Sequence, residues 1–108
     1  MKISEYQELS SRTMPPNLHV EPLLTNICLG LAGESGEIIE HVKKVVFHGH
    51  KLDRDYLKKE IGDVLWYVAA MATALDVDLG EIAQANVDKL KARYPEGFDS
   101  SASTNRVV

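Results

Sequence analysis

Apolar residues recur along this chain at steps of three, four and seven, the repeat of one helix face. No stretch alternates with the period of two that marks a half-buried strand. From Pro22, which suits a first helical turn, Leu24, Ile27, Leu31, Ile38, Val42 and Val45 line up on one side. Gly49 closes this segment near His48, as a glycine just past a helix end does. Asp53 or Asp55 caps the next helix, whose stripe is Leu57, Ile61, Val64, Val68, Ala72 and Leu75. Asp78 with Glu81, an acidic form of the capping box, starts a further helix that carries Leu79, Ala83, Asn86 and Leu90. That helix stops before Pro95 and Gly97. Ahead of all these, a short helix runs from about Ser4, its N-cap, to Arg12. Met14-Pro15-Pro16-Asn17 ends it, because proline lacks a backbone donor.

The pattern defines an all-α chain. Two long helices joined by about five to seven residues form an antiparallel hairpin, and two shorter helices accompany it. The core of such a hairpin is thin, so a second hairpin from another subunit completes a four-helix bundle. Trp66, Tyr67 and Met71 stand beside or behind the main stripe of the second long helix and offer an apolar surface to that partner. Residues 1–98 make one helical domain with its core at 22–98. The stretch 99–108, rich in Ser, Thr and Asn, reads as a mobile tail.

Composition narrows the function. The 108 residues suit a single domain. Sixteen acids against twelve Lys and Arg, a net charge of −4, leave no basic face for a nucleic-acid polymer. No apolar run approaches the roughly 20 residues that span a bilayer, and no basic-then-apolar leader opens the chain. The one cysteine, Cys28, forms no intrachain disulfide framework, which fits a reducing cytosol. The expectation is a cytoplasmic protein without a membrane partner.

The placement of four of the acids is more informative than their number. At about 100° per residue, Glu34 falls about 50° from the centre of the first long stripe and Glu37 about 110° on the same side. On the second long helix Glu60 lies about 80° from the stripe centre and Asp63 about 140°. Each helix therefore offers a carboxylate pair at i and i+3, with one member leaning toward the core. The two pairs are also symmetric about His48 and Gly49, where the chain reverses, so antiparallel packing brings them to similar height. Four converging carboxylates repel one another in a poor dielectric. A hard divalent cation with oxygen ligands relieves this, and Mg²⁺ is the usual choice, with Mn²⁺ able to substitute. Such a cation keeps positions open for water and substrate phosphates, which suits metal-assisted phosphoryl chemistry.

Other residues have two readings each. Gly30, Gly33, Gly36 and Gly62 lie inside helices at about 1 kcal/mol each relative to alanine, marking either kinks or the close approach of a neighbour. Asn86 interrupts an apolar stripe, as a register device or as a ligand contact. Lys89 and Arg93 follow it at i+3 and i+7, and Lys44 shares the face of Glu37. These cations are either surface ion pairs or partners for a polyphosphate. His48-Gly49-His50 resembles a metal pair but has no cysteine partner for a structural zinc.

Three blocks, in order, carry a family resemblance. Gly30-Leu31-Ala32-Gly33-Glu34-Ser35-Gly36-Glu37 comes first, and Lys59-Glu60-Ile61-Gly62-Asp63-Val64-Leu65-Trp66-Tyr67 second. Asn86-Val87-Asp88-Lys89-Leu90 with Arg93-Tyr94-Pro95 is the third. Together, over residues 22–98, they resemble the MazG-like nucleotide pyrophosphohydrolases. The resemblance implies an all-α bundle built from dimers, sometimes paired into tetramers, that converts nucleoside triphosphates to the monophosphate and pyrophosphate. It implies Mg²⁺ held by Glu34, Glu37, Glu60 and Asp63, with Asn86, Lys89 and Arg93 near the substrate. Many members carry a further glutamate just before the first ligand, where this chain has Gly33. The expected function is an Mg²⁺-dependent (d)NTP pyrophosphohydrolase. The alternative is a non-catalytic helical module that binds a nucleotide or a partner and keeps the acids as a metal-stabilised core.

Overall fold

The computed structural model describes residues 1–106, and among these the regular elements are all helical. They are α1 (Ile3–Ser11), α2 (Val20–His48), α3 (Arg54–Ala74), α4 (Leu79–Arg93) and α5 (Ser100–Thr104). The 29 residues of α2 run unbroken through Gly30, Gly33 and Gly36. Pro22 sits in its first turn, where an N–H would have no intrahelical acceptor. At the other end Gly49 takes the left-handed conformation, φ 71°, and its N–H bonds back to the Lys44 carbonyl. A side chain at that position would be strained, so the glycine sets where the chain turns. Asp53 is the cap of α3, its carboxylate accepting the Tyr56 N–H at 3.0 Å. Asp78 caps α4 through the Gly80 and Glu81 N–H groups.

Two boundaries differ from the sequence expectation. The helix α1 starts before Ser4, because Lys2 is extended and its carbonyl already accepts the Tyr6 N–H at 3.1 Å. Within the expected tail, Asp99 accepts the Ser101 N–H at 3.1 Å and caps the single turn of α5. The final two residues of that tail lie outside the described residues.

Packing centres on the hairpin of α2 and α3, with Ile27 its largest fully buried side chain. Across α3 lies α1, tied down by Gln7. That side chain donates to the Thr73 hydroxyl and the Val77 carbonyl and accepts the Leu79 N–H at 2.8 Å. It thereby satisfies backbone groups of the α3–α4 turn that helix geometry leaves open. Ala69, Ala72 and Leu79 form the adjoining cluster, with Tyr6 packed against it.

The face that α3 turns toward α2 is rotated from the expected stripe. Ile61 is 60 % exposed and Leu75 53 %, whereas Tyr67 points into the hairpin and fills the space a side chain at Gly30 would need. Of the four glycines inside α2 and α3, Gly30 is the one whose missing Cβ a neighbour uses; around Gly33, Gly36 and Gly62 that space is open. The indole N–H of Trp66 donates to Thr13 at 2.8 Å, so it faces the segment after α1. Trp66 and Tyr67 therefore each make a contact within the chain. Asn86 is not a core residue either, since every side chain of α4 from residue 81 to 92 is exposed.

Much apolar surface stays uncovered. On α2, Leu29, Ile39, Val46 and Phe47 are each more than 60 % exposed and share a face opposite the packed one. The radius of gyration is 17.0 Å, against about 13 Å for a compact chain of this length. No helix among the described residues is long and apolar enough to cross a membrane.

Candidate metal centre

The hairpin register decides which side chains meet. Residues equidistant from the turn at His48 and Gly49 face each other across α2 and α3, as the contacts of Gly30 with Tyr67 and of His41 with Tyr56 show. One rung of this ladder pairs Glu34 with Asp63, and the next pairs Glu37 with Glu60. Glu34 and Glu60 are half-buried while Glu37 and Asp63 are exposed, so one acid of each helical pair turns inward.

Glu34, Glu60 and Asp63 each bring a carboxylate oxygen to within 4.8 Å of the others. The Oε2 atom of Glu60 is shielded from solvent and has no hydrogen-bond partner. A buried acceptor without a donor is costly, and a cation is one way to satisfy it. The Glu60 carboxyl is pushed up to about 7, first by the hydrogen bond it shares with Glu34. Burial adds to this, followed by the charges of Glu34, Asp63 and Glu37. Without a cation, then, the cluster lowers its repulsion by retaining a proton. An all-oxygen donor set of this kind fits a hard divalent ion such as Mg²⁺ or Mn²⁺.

Glu37 stands apart from those three. Its Oε2 accepts the Tyr56 hydroxyl at 3.0 Å, and it lines an open cavity of about 410 Å³ on the turn side of the hairpin. Lys44 lines the same cavity, with its ammonium 3.7 Å from Glu40. A second cavity, of about 350 Å³, opens on the other side and is lined by Thr13, Glu34, Asp63, Trp66 and Tyr67. The Trp66 and Tyr67 rings meet edge to face there, with centroids 4.9 Å apart.

Neither cavity draws a residue from α4. Asn86 and Lys89 are exposed on that helix, and the guanidinium of Arg93 lies 5.9 Å from the Tyr94 ring centroid near its end. Of the eight residues singled out from sequence, the chain by itself gathers three acids into one cluster. It sets Glu37 and Lys44 together beside that cluster, and places Asn86, Lys89 and Arg93 elsewhere.

Sequence reasoning passed over Tyr56, His41, Thr13 and the aromatic pair as parts of the site. For two of them a signal existed. His41 and Tyr56 lie one turn beyond Glu37 and Glu60 toward the turn, and the symmetry that pairs the acids pairs them too. Thr13 gave none, since its position depends on how α1 crosses α3.

A helical hairpin whose two long helices bring carboxylates around one shielded, unpartnered oxygen places this chain among all-α proteins built around an acidic centre. The model of the MazG nucleotide pyrophosphohydrolase domain matches residues 24–98, and the chain belongs to that family. It is also 40 % identical over 87 residues to the Gene 37 protein of Mycobacterium phage L5, covering 77 % of this chain and 76 % of that one. No solved structure matches the chain significantly.

Proposed function

We propose that this chain is a divalent-cation-dependent nucleoside triphosphate pyrophosphohydrolase that uses Mg²⁺, with Mn²⁺ as a substitute. The observation that carries the reading is the convergence of Glu34, Glu60 and Asp63 oxygens around the shielded Glu60 Oε2. Glu34, Glu60 and Asp63 hold the cation, and Glu37 joins them from the turn side. A cation bound there would neutralise phosphate oxygens and lower the pKa of a bound water. A carboxylate oxygen that is not engaged takes the proton of the attacking water as the α–β anhydride breaks and pyrophosphate leaves. Lys44, at the turn-side cavity, neutralises phosphate charge. The Thr13–Trp66–Tyr67 cavity, which shares Glu34 and Asp63 with the cluster, receives the nucleoside part.

The assay is purified protein with Mg²⁺ and a panel of ribo- and deoxynucleoside triphosphates. Monophosphate and pyrophosphate are the expected products. Absence of turnover across the panel by folded protein would sink the reading. Cation and nucleotide binding without turnover would select the non-catalytic module instead.

The same reading includes self-association. Unpartnered apolar residues on α2, on α3 and on the exposed stretch 81–92 of α4, together with the large radius of gyration, support a second copy packing on the hairpin. Asn86, Lys89 and Arg93 would then reach substrate at a site shared between copies. Residues 1–98 would form the domain. Light scattering should give a multiple of 12.0 kDa, and a monomeric mass at micromolar concentration would exclude it.

A further inference from the structure

On the turn side of the acids, four residues form a closed set of contacts between α2 and the start of α3. The Asp53 N–H donates to His41 Nε2 at 3.0 Å, which places the proton of the neutral imidazole on Nδ1. The Asp53 carboxylate accepts the Tyr56 N–H at 3.0 Å. The His41 and Tyr56 rings lie 5.3 Å apart, inclined by 52°. The Tyr56 hydroxyl, held by this frame, then donates to Glu37 Oε2 at 3.0 Å. Glu37 is on an exposed stretch of helix with a long side chain and several rotamers open to it, and this bond selects one of them.

From this geometry we infer that Tyr56 is a positioning residue for Glu37, occupying Oε2 so that Oε1 is left to complete the cation site formed by Glu34, Glu60 and Asp63. The inference rests on the metal reading given above. Two features connect Glu37 to that site although it stands outside the three-oxygen group. Its charge bears on Glu60, and it occupies the rung directly opposite Glu60 in the hairpin register. A donor on one oxygen of a carboxylate fixes the direction of the other oxygen, the service outer hydrogen-bond partners give to metal ligands. His41 and Asp53 act one step further out by fixing the ring.

The test is Mn²⁺ titration of the full chain, followed by the electron paramagnetic resonance signal of the free ion, for wild type and Tyr56→Phe. Phenylalanine keeps the ring contact with His41 and removes only the hydroxyl. The expected result is Mn²⁺ binding weaker by about 10- to 100-fold. The Mg²⁺ concentration for half-maximal activity should rise in proportion, and excess Mg²⁺ should restore kcat. A residue that served only to stabilise the fold would lower the melting temperature and leave the Mn²⁺ titration unchanged. Should Tyr56→Phe fold poorly, a cycle with Glu37→Gln at low temperature gives the same information. Tyr56→Phe should weaken Mn²⁺ binding in the wild-type background and add nothing in the Glu37→Gln background. Wild type that binds Mn²⁺ with Tyr56→Phe matching or exceeding its affinity overturns the inference alone. Wild type that takes up no Mn²⁺ overturns the metal reading, and this inference with it.

Discussion

Replacing Glu60 with glutamine should abolish hydrolysis and, in the absence of divalent cations, raise the melting temperature. The two effects have one cause. Glu60 is the most central of the acids, sharing a hydrogen bond with Glu34 and feeling the charges of Glu34, Asp63 and Glu37, with one oxygen shielded from water and unpartnered. Those charges are what a cation would bind and what the cation-free fold must tolerate. An amide of nearly the same shape keeps a hydrogen bond to Glu34 and removes the repulsion. It also removes a ligand whose charge is needed during phosphoryl chemistry, and loss of one such electrostatic group lowers kcat by about 10²- to 10³-fold. The measurements are steady-state pyrophosphate release with Mg²⁺ and thermal melts in a chelator. A variant that melts lower than wild type in chelator would show that the acids are not in conflict. Near-normal turnover would show that Glu60 is not a ligand.

Between about pH 4.5 and pH 7 the cation-free protein should lose stability, and the stabilisation by Mg²⁺ should grow over the same range. Glu60 in the fold titrates near 7, against an ordinary value of 4.5, because its ionised form is disfavoured by the hydrogen bond with Glu34, by burial and by its neighbours. Below 4.5 both the folded and unfolded chains hold this proton, so the group exerts no pH dependence. Between 4.5 and about 7 the unfolded chain releases the proton while the folded chain keeps it. Stability therefore falls as pH rises through that window, and levels off above it. A cation needs the ionised carboxylates and competes with this proton, so its effect on the melting temperature should be small at the acid end and full above neutrality. The Glu60→Gln variant isolates this contribution, since it should lose this part of the slope. A chelator melting temperature independent of pH in wild type would contradict the prediction.

Helix boundaries were legible in the sequence where a residue type has a local geometric task. Gly49 takes the left-handed backbone that ends α2, Asp53 and Asp78 accept the first free N–H groups of α3 and α4, and Pro22 occupies a first turn that needs no donor. The inward lean of Glu34 and Glu60 was legible for a similar reason. Helical periodicity together with one reversal point fixes which residues share a height and a side. The same arithmetic pairs His41 with Tyr56 and Gly30 with Tyr67.

What the sequence determined by itself, then, is whatever follows from one helix at a time and from a single antiparallel register: the all-α class, the hairpin, and the convergence of acids from both sides. The tertiary structure alone decided the rest, because it depends on how helices rotate about their own axes when they pack. The ring of Tyr67 enters the gap at Gly30, and this turns α3 so that Glu60 faces α2 while Ile61 and Leu75 are left in solvent. That rotation commits Trp66 to Thr13, while Glu37, held by Tyr56, stands beside the three-oxygen group. Residues 81–92 of α4 stay exposed, with Asn86 and Lys89 away from the centre. Periodicity identifies an apolar stripe on a helix. Only the shapes of facing side chains determine which edge of that stripe is buried.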